Sequence, residues 1–179
     1  MDILEIRKYW QGIVTGNYKT GYNDIQYKID NGVLYFSASN SYTDIITNLC
    51  LFSKHAFMER CMNTFWEIIL DGGCYNKDVL LESPKNIHTV VGYSLGGAIA
   101  QAFVSLFEDR TFKVVVFGSP RVPRGFKIND SNMYRIVYGS DIVTKLPPFG
   151  KKFGKRLDFG RKNMLHCICD HNDKNYGGI

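Results

Sequence analysis

The six residues Gly92-Tyr93-Ser94-Leu95-Gly96-Gly97 are the part of the sequence best suited to chemistry. They form a G-x-S-x-G pattern between the apolar pair Val90-Val91 and the run Ala98-Ile99-Ala100-Gln101-Ala102. The first flank reads as a strand and the second as a helix, so the serine falls on the turn between them. A serine on such a sharp strand-to-helix turn has its hydroxyl pushed out over the sheet edge, at the cost of backbone strain. Strand and helix pass very close there, so the flanking positions must be small. Gly92, Gly96 and Gly97 meet that need, and Ala98 and Ala100 keep the helix slim. A glycine-rich turn that merely contains a serine is the plain alternative, and the two flanks favour a nucleophile over it. A helix N-terminus also presents backbone N–H groups without intrahelical partners, and the N–H of Leu95 is the expected donor to an oxyanion.

A serine hydroxyl is a weak nucleophile. It needs a base to take its proton, and the base needs a carboxylate to orient it. For a nucleophile on this kind of turn, the acid and then the histidine follow the serine along the chain. Asp141 lies just past the predicted strand 134–138, at the C-terminal edge where ligands gather in such sheets. Asp130 precedes that strand and falls at the other edge, while Asp158 sits in a basic stretch as a solvated charge. Two histidines follow Ser94, His166 and His171. His171 stands at the start of a short polar segment that reads as a helix start, which can fix a ring in place. His166 lies in the apolar run 164–168, where a structural histidine is the bland alternative. The reading favours His171 and leaves His166 open.

These groups need a scaffold. Ile3, Ile6, Trp10 and Ile13 are spaced for an amphipathic helix over residues 2–14. Strands are predicted at 25–28 and 33–37, joined by the hairpin signal Asp30-Asn31-Gly32. A helix follows at 55–70, then a strand at 87–92, a helix at 95–107 and strands at 113–117 and 134–138. The continuous apolar strand 113–117 is of the type buried on both faces of a parallel sheet. Alternating strand and helix predict an α/β fold with a compact, mostly parallel sheet, flanking helices and an N-terminal hairpin. The 179 residues fit one domain, 1–179.

The composition is that of an ordinary globular protein, 45% apolar and 22% charged. The net charge of +5 favours anionic surfaces without requiring nucleic acid, and none is expected. No signal peptide or membrane-spanning run is visible, so an intracellular location is expected. The basic stretch 151–162 interleaves Lys152, Lys155, Arg156 and Arg161 with Phe153 and Phe159. It reads as a solvated loop. The sharper reading is contact with an anionic membrane surface, with the phenylalanines dipping into it. The same pattern serves single-stranded nucleic acid less well. Five scattered cysteines, Cys50, Cys61, Cys74, Cys167 and Cys169, do not suggest a disulfide framework. Cys167 and Cys169 lie near His166 and His171, but no second ligand pair follows, so free thiols and no metal are expected.

With these residues in hand, the chain resembles the class 3 lipase family of fungal triacylglycerol lipase type, which has the α/β-hydrolase fold. The similarity runs from about residue 27 to the end. Residues 88–103 resemble that family's nucleophile turn, and 114–122, VVVFGSPRV, its next strand and turn. Residues 134–148, YRIVYGSDIVTKLPP, resemble the segment that carries its catalytic aspartate, which maps onto Asp141. Residues 170–176, DHNDKNY, resemble the segment that carries its catalytic histidine, which maps onto His171.

The resemblance implies a second oxyanion donor at Ser39, although the family's Arg-Gly before it is Ser37-Ala38 here. By position, 40–54 matches the family's lid, and Tyr42, Ile45, Ile46 and Leu49 would suit an apolar cleft or a fixed surface helix equally. Phe36, Val122, Ile142 and Leu146 would suit either an acyl chain or a core. The implied activity is cleavage of carboxylic esters of lipids, acylglycerol or phospholipid, through an acyl-enzyme on Ser94, with no cofactor. A small-ester esterase and a non-catalytic lipase-like binding module are the rivals. The fungal members' secretory signal and paired cysteines are missing, which points to an intracellular or virus-encoded relative.

Overall fold

A computed structural model of the chain describes residues 1–37, 54–71, 86–107, 110–162 and 169–179. The N-terminal segment is the helix expected from its apolar spacing, α1 (Ile3–Val14). Asp2 caps it, its side chain accepting the Glu5 N–H, and Ile6, Tyr9, Trp10 and Ile13 form the buried stripe. A two-residue strand β1 (Lys19–Thr20) then leads to the hairpin of β2 (Gln26–Asp30) and β3 (Val33–Phe36). Asn31 and Gly32 turn it with φ of 47° and 74°. Both angles are left-handed, as the two-residue turn that follows strand twist requires, and Asn-Gly tolerates them best.

From β3 the sheet continues through β4 (Thr89–Tyr93), β5 (Lys113–Phe117), β6 (Met133–Tyr138) and β7 (Lys155–Phe159). The seven strands lie side by side in chain order, antiparallel up to β3 and parallel from β3 onward. Parallel crossovers are right-handed, and successive steps in one direction put the crossover helices on one face. Accordingly α2 (Lys54–Asp71), between β3 and β4, and α3 (Leu95–Val104), between β4 and β5, pack together on that face. The other face is left to the chain ends: α1 and the short α4 (Asp173–Gly177).

Two cores result. In the first, Phe36, Phe65 and Phe103 meet with ring centroids 5.3 to 6.3 Å apart, and Leu34, Val90, Val114 and Val116 point into the same cluster. In the second, Trp10 lies 5.1 Å from Tyr93, 5.2 Å from Phe117 and 5.6 Å from Tyr176. The Arg7 guanidinium donates twice to the carbonyl of Ile179, tying α1 to the C-terminus. Among the described residues, no helix is long and apolar enough to cross a membrane.

Some boundaries differ from expectation. Strand β4 starts at Thr89, so Ile87 and His88 precede it, and α3 stops at Val104 rather than 107. The larger difference lies in the basic stretch, where the expected loop is strand β7. Its residues alternate: Leu157 and Phe159 pack against the second core, while Arg156 and Asp158 project from the opposite face. Charge on an outermost strand discourages pairing with another chain. It also masks the period-two pattern in the sequence. Phe153 is 4% exposed, inside the first core, so it is not available to dip into a surface. Phe149, just before this stretch, is exposed, at 76%. Phe36 and Val122 are likewise core residues.

Candidate active site

Ser94 occupies the junction of β4 and α3 with φ 55° and ψ −127°. Its N–H donates to the Phe117 carbonyl at 2.9 Å, which holds the turn against β5. Side chains on the flanking glycines would collide with backbone or with Ser119. A Cβ on Gly92 would lie 2.3 Å from the Gly96 carbonyl oxygen, and one on Gly97 2.6 Å from the Ser119 Cβ. One on Gly96 would lie 2.5 Å from the carbonyl oxygen of Phe36 and 2.4 Å from that of Ser37. The start of α3 therefore rests directly on the end of β3. Gln101 fastens the turn further by donating to the Ser119 hydroxyl at 2.8 Å.

Asp141 sits beyond the C-terminal end of β6 and is 0% exposed. Its Oδ1 accepts the Val143 N–H at 2.9 Å. Its Oδ2 lies 2.8 Å from His171 Nδ1 and accepts the Tyr176 hydroxyl at 2.5 Å. Three donors thus satisfy a carboxylate that water does not reach, which is the condition for burying one. His171 closes the 3-10 turn Cys169–His171, and its Nε2 lies 2.8 Å from Ser94 Oγ. With the Nδ1 proton directed at Asp141, Nε2 is left to accept from the serine.

The imidazole is held on several sides. Its ring stacks on Tyr93 at 5.4 Å and 19°, and the Tyr93 hydroxyl donates to the His171 carbonyl at 2.6 Å. The next residue, Asn172, caps α4 by accepting the Lys174 N–H. Asp170 accepts the Ser140 N–H at 2.7 Å, which pins the turn to the loop that carries Asp141.

The structure thus brings Ser94, Asp141 and His171 together, and Leu95 opens α3 beside them. Asp130 is elsewhere, accepting the Gly154 N–H, and Asp158 pairs with Arg156 and Lys162. Ser39, His166, Cys167 and most of the segment 40–54 lie outside the described residues. Cys169 is an exposed free thiol.

Sequence reasoning missed Tyr176, Tyr93 and Gly118. Gly118 has φ +53°, and a Cβ there would lie 2.9 Å from Asp141 Oδ2, 2.9 Å from the Tyr176 hydroxyl and 3.0 Å from His171 Cε1. The glycine of Gly-Ser-Pro was a visible signal for a tight turn, but not for what it faces. Gly118→Ala is expected to lower both ester turnover and stability. The stability cost should be at least about 1 kcal/mol, the scale of a side chain in a left-handed conformation. Chemical denaturation beside an ester assay checks both.

The sequence matches the family described as Lipase (class 3) over residues 33–151, which takes in Ser94 and Asp141 and ends before His171. Among solved structures, the fold is similar to Lip2 lipase from Yarrowia lipolytica, with TM-score 0.56 and 16% identity over 88% of this chain and 80% of that one. It is also similar to the lipase from Rhizopus microsporus var. chinensis, with TM-score 0.52 and 17% identity over 88% of this chain and 75% of that one. No curated protein sequence matches.

Proposed function

The chain belongs to the class 3 lipase family of ester hydrolases, and on that footing we propose that it cleaves carboxylic esters of lipids with Ser94 as nucleophile. The observation that carries this is the unbroken relay from Ser94 Oγ to His171 Nε2 and from His171 Nδ1 to Asp141 Oδ2, each step 2.8 Å. His171 takes the serine proton as Oγ attacks the ester carbonyl. The resulting imidazolium hands that proton to the leaving alcohol, and the acyl group stays on Ser94. Water then attacks the acyl-enzyme, again giving its proton to His171, and Ser94 is restored.

Asp141 orients the ring and stabilises its charge. The N–H of Leu95 is the first oxyanion donor, and Ser39, which the family resemblance implies, is our assignment for the second; the contact of Gly96 with the end of β3 supports it. Each such donor contributes roughly 3 kcal/mol to the barrier lowering. The substrate class we favour is acylglycerol or phospholipid.

A chromogenic ester series from short to long acyl chain tests this with wild type beside Ser94→Ala. Preference for long chains, rising once the ester aggregates, and lost in the variant, is the expected result. Preference for short, dissolved esters would move the assignment to an esterase. Equal turnover in both proteins would leave the binding-module reading in possession.

Tyr176 acts through Asp141, so it is a positioning residue. Tyr176→Phe removes one of the three donors to the buried carboxylate and is expected to cost about 1–3 kcal/mol of stability. Its effect on kcat should stay well below that of changing Asp141 itself. Burial, then the Asp141 charge and hydrogen bond, push the Tyr176 hydroxyl well above the usual tyrosine range. The folded state therefore keeps this proton longer than the unfolded chain. The associated stability is present below about pH 10, the unfolded value, and is lost as pH rises toward the folded one. The alkaline limb of a denaturation-against-pH curve should flatten in Tyr176→Phe.

A further inference from the structure

Four cations gather beside strands β6 and β7. Arg135 on β6 and Arg156 on β7 are register partners in parallel strands, so their side chains leave the same face about one strand spacing apart. A bridge between Val122 and Lys151 sets Arg121 opposite Lys152 in the segment beside them. The four charges sense one another. The Arg121 charge, then partial burial and the charges of Arg135, Arg156 and Lys145, pull the Lys152 ammonium below the usual lysine range. Burial, then Arg156 and Arg121, do the same to Arg135.

Arg135 is 4% exposed, and its Nη2 is buried without a hydrogen-bond partner among the described residues. The Nε of Arg121 is buried and unpartnered in the same way, while its Nη1 donates to the Pro148 carbonyl. A guanidinium stays charged, so each of these two nitrogens is a buried cationic donor without an acceptor among the described residues, beside further cations. Buried polar groups are nearly always paired, and an exception asks for a reason. Asp158, the carboxylate that acts on Arg135 among the described residues, is already engaged by Arg156 and Lys162.

We propose that Arg121, Arg135, Lys152 and Arg156 form a binding site for a phosphate group, separate from the ester site. Guanidinium forks and a lysine suit a compact tetrahedral oxyanion with several acceptor oxygens. The phosphate would take the unmet hydrogen bonds of Arg121 and Arg135 and offset the mutual repulsion. Lys152 also lines an open groove of about 630 Å³, together with Arg124, Lys127, Phe149 and Lys151, in which the remainder of a phosphorylated ligand could lie. The ligand is either a dissolved phosphate compound or the head group of a phospholipid.

Thermal unfolding with inorganic phosphate, at ionic strength held constant with chloride, tests the site. Wild type should show a saturable rise in midpoint of about 5–10 °C at a hundredfold excess over Kd. Lys152→Gln, at an exposed position, should bind at least about tenfold more weakly. Arg135→Met should abolish the response and, by removing a buried charge whose Nη2 has no partner among the described residues, unfold at the same or a higher temperature without phosphate. A merely structural Arg135 would give a lower midpoint instead, and that result would count against the proposal.

Co-sedimentation with phosphatidylcholine vesicles doped with phosphatidic acid, or with phosphatidylserine at matched charge, separates the two sources. Preference for the phosphatidic acid vesicles, reduced in Lys152→Gln, assigns the lipid head group. A phosphate response without vesicle binding assigns a dissolved ligand. Wild type that responds to neither, or variants that respond as wild type does, overturn the site. Ser94→Ala should leave every one of these readings unchanged, so failure here and failure of the ester reading are distinguishable.

Discussion

Ser94→Ala is expected to lower ester turnover by a factor on the order of 10⁵ to 10⁶, the scale seen when the nucleophile of a serine relay is removed. The alanine has nothing to attack with, and His171 has no hydroxyl proton to take. What rate remains comes from substrate binding and the oxyanion donors, which the variant keeps. His171→Ala should cost about as much alone, and the double variant little more, because the two groups act as one unit. Independent contributions would multiply instead. Turnover of Ser94→Ala within tenfold of wild type would remove Ser94 from the chemistry.

The fold should survive, since Ser94 is held by its backbone bond to Phe117 and by the packing of its glycine neighbours. Its φ of 55° strains alanine as much as serine. Ser94→Gly, equally inactive, should therefore be more stable than Ser94→Ala by about 0.5–1 kcal/mol, because glycine adopts this conformation freely. Denaturation midpoints of the two variants separate the strain stored at the turn from the chemistry it serves.

That turn was legible in the sequence because it is local. The pattern Gly92-x-Ser94-x-Gly96 and its two flanks lie within one stretch, and Gly92 answers to the carbonyl of Gly96 inside it, whereas the contacts of Gly96 with β3 and of Gly97 with Ser119 come from outside it. The hairpin was legible for the same reason, since Asn31-Gly32 carries its own backbone requirement. Apart from the family resemblance, Asp141 and His171 could be placed only by chain order and by their position after a strand and before a helix. Nothing in the sequence measures the 30 residues that separate them, and the contact between them is tertiary.

Tyr176 shows where such reasoning stops. It stands 35 residues from Asp141, among polar neighbours, and looks like any tyrosine near a chain end. Its role follows from α4 docking under Trp10 and Phe117, which no local pattern encodes. Strand β7 was hidden for a different reason. Its half-buried residues, Leu157 and Phe159, are outnumbered by charges that belong to a strand at the edge of the sheet. Arg135 was hidden with it, since only the register of β6 against β7 sets it beside Arg156.

Asp141→Asn is expected to lower kcat by about 10⁴, through the wrong tautomer rather than through lost geometry. The direction follows from the donors around this side chain. Oδ1 accepts the backbone N–H of Val143, and a backbone donor cannot reverse its role. In the variant, the amide oxygen must therefore keep that position, and the amide nitrogen takes the place of Oδ2. There it faces His171 Nδ1 as a donor. Nδ1 must then accept, the ring proton moves to Nε2, and Nε2 can no longer take the proton of Ser94. The Tyr176 hydroxyl can rotate to accept from the amide but then leaves its own proton without an acceptor, so the variant should lose about 1–3 kcal/mol of stability, the cost of one unmet group.

Asp141→Ala differs in kind. It leaves the Val143 N–H, the Tyr176 hydroxyl and His171 Nδ1 buried without their acceptor, at about 1–3 kcal/mol for each group left unmet. The two variants should thus be similarly inactive but far apart in stability. Single-turnover kinetics and denaturation on the pair check this. An Asp141→Asn protein that retains turnover within tenfold of wild type would mean that another group orients His171.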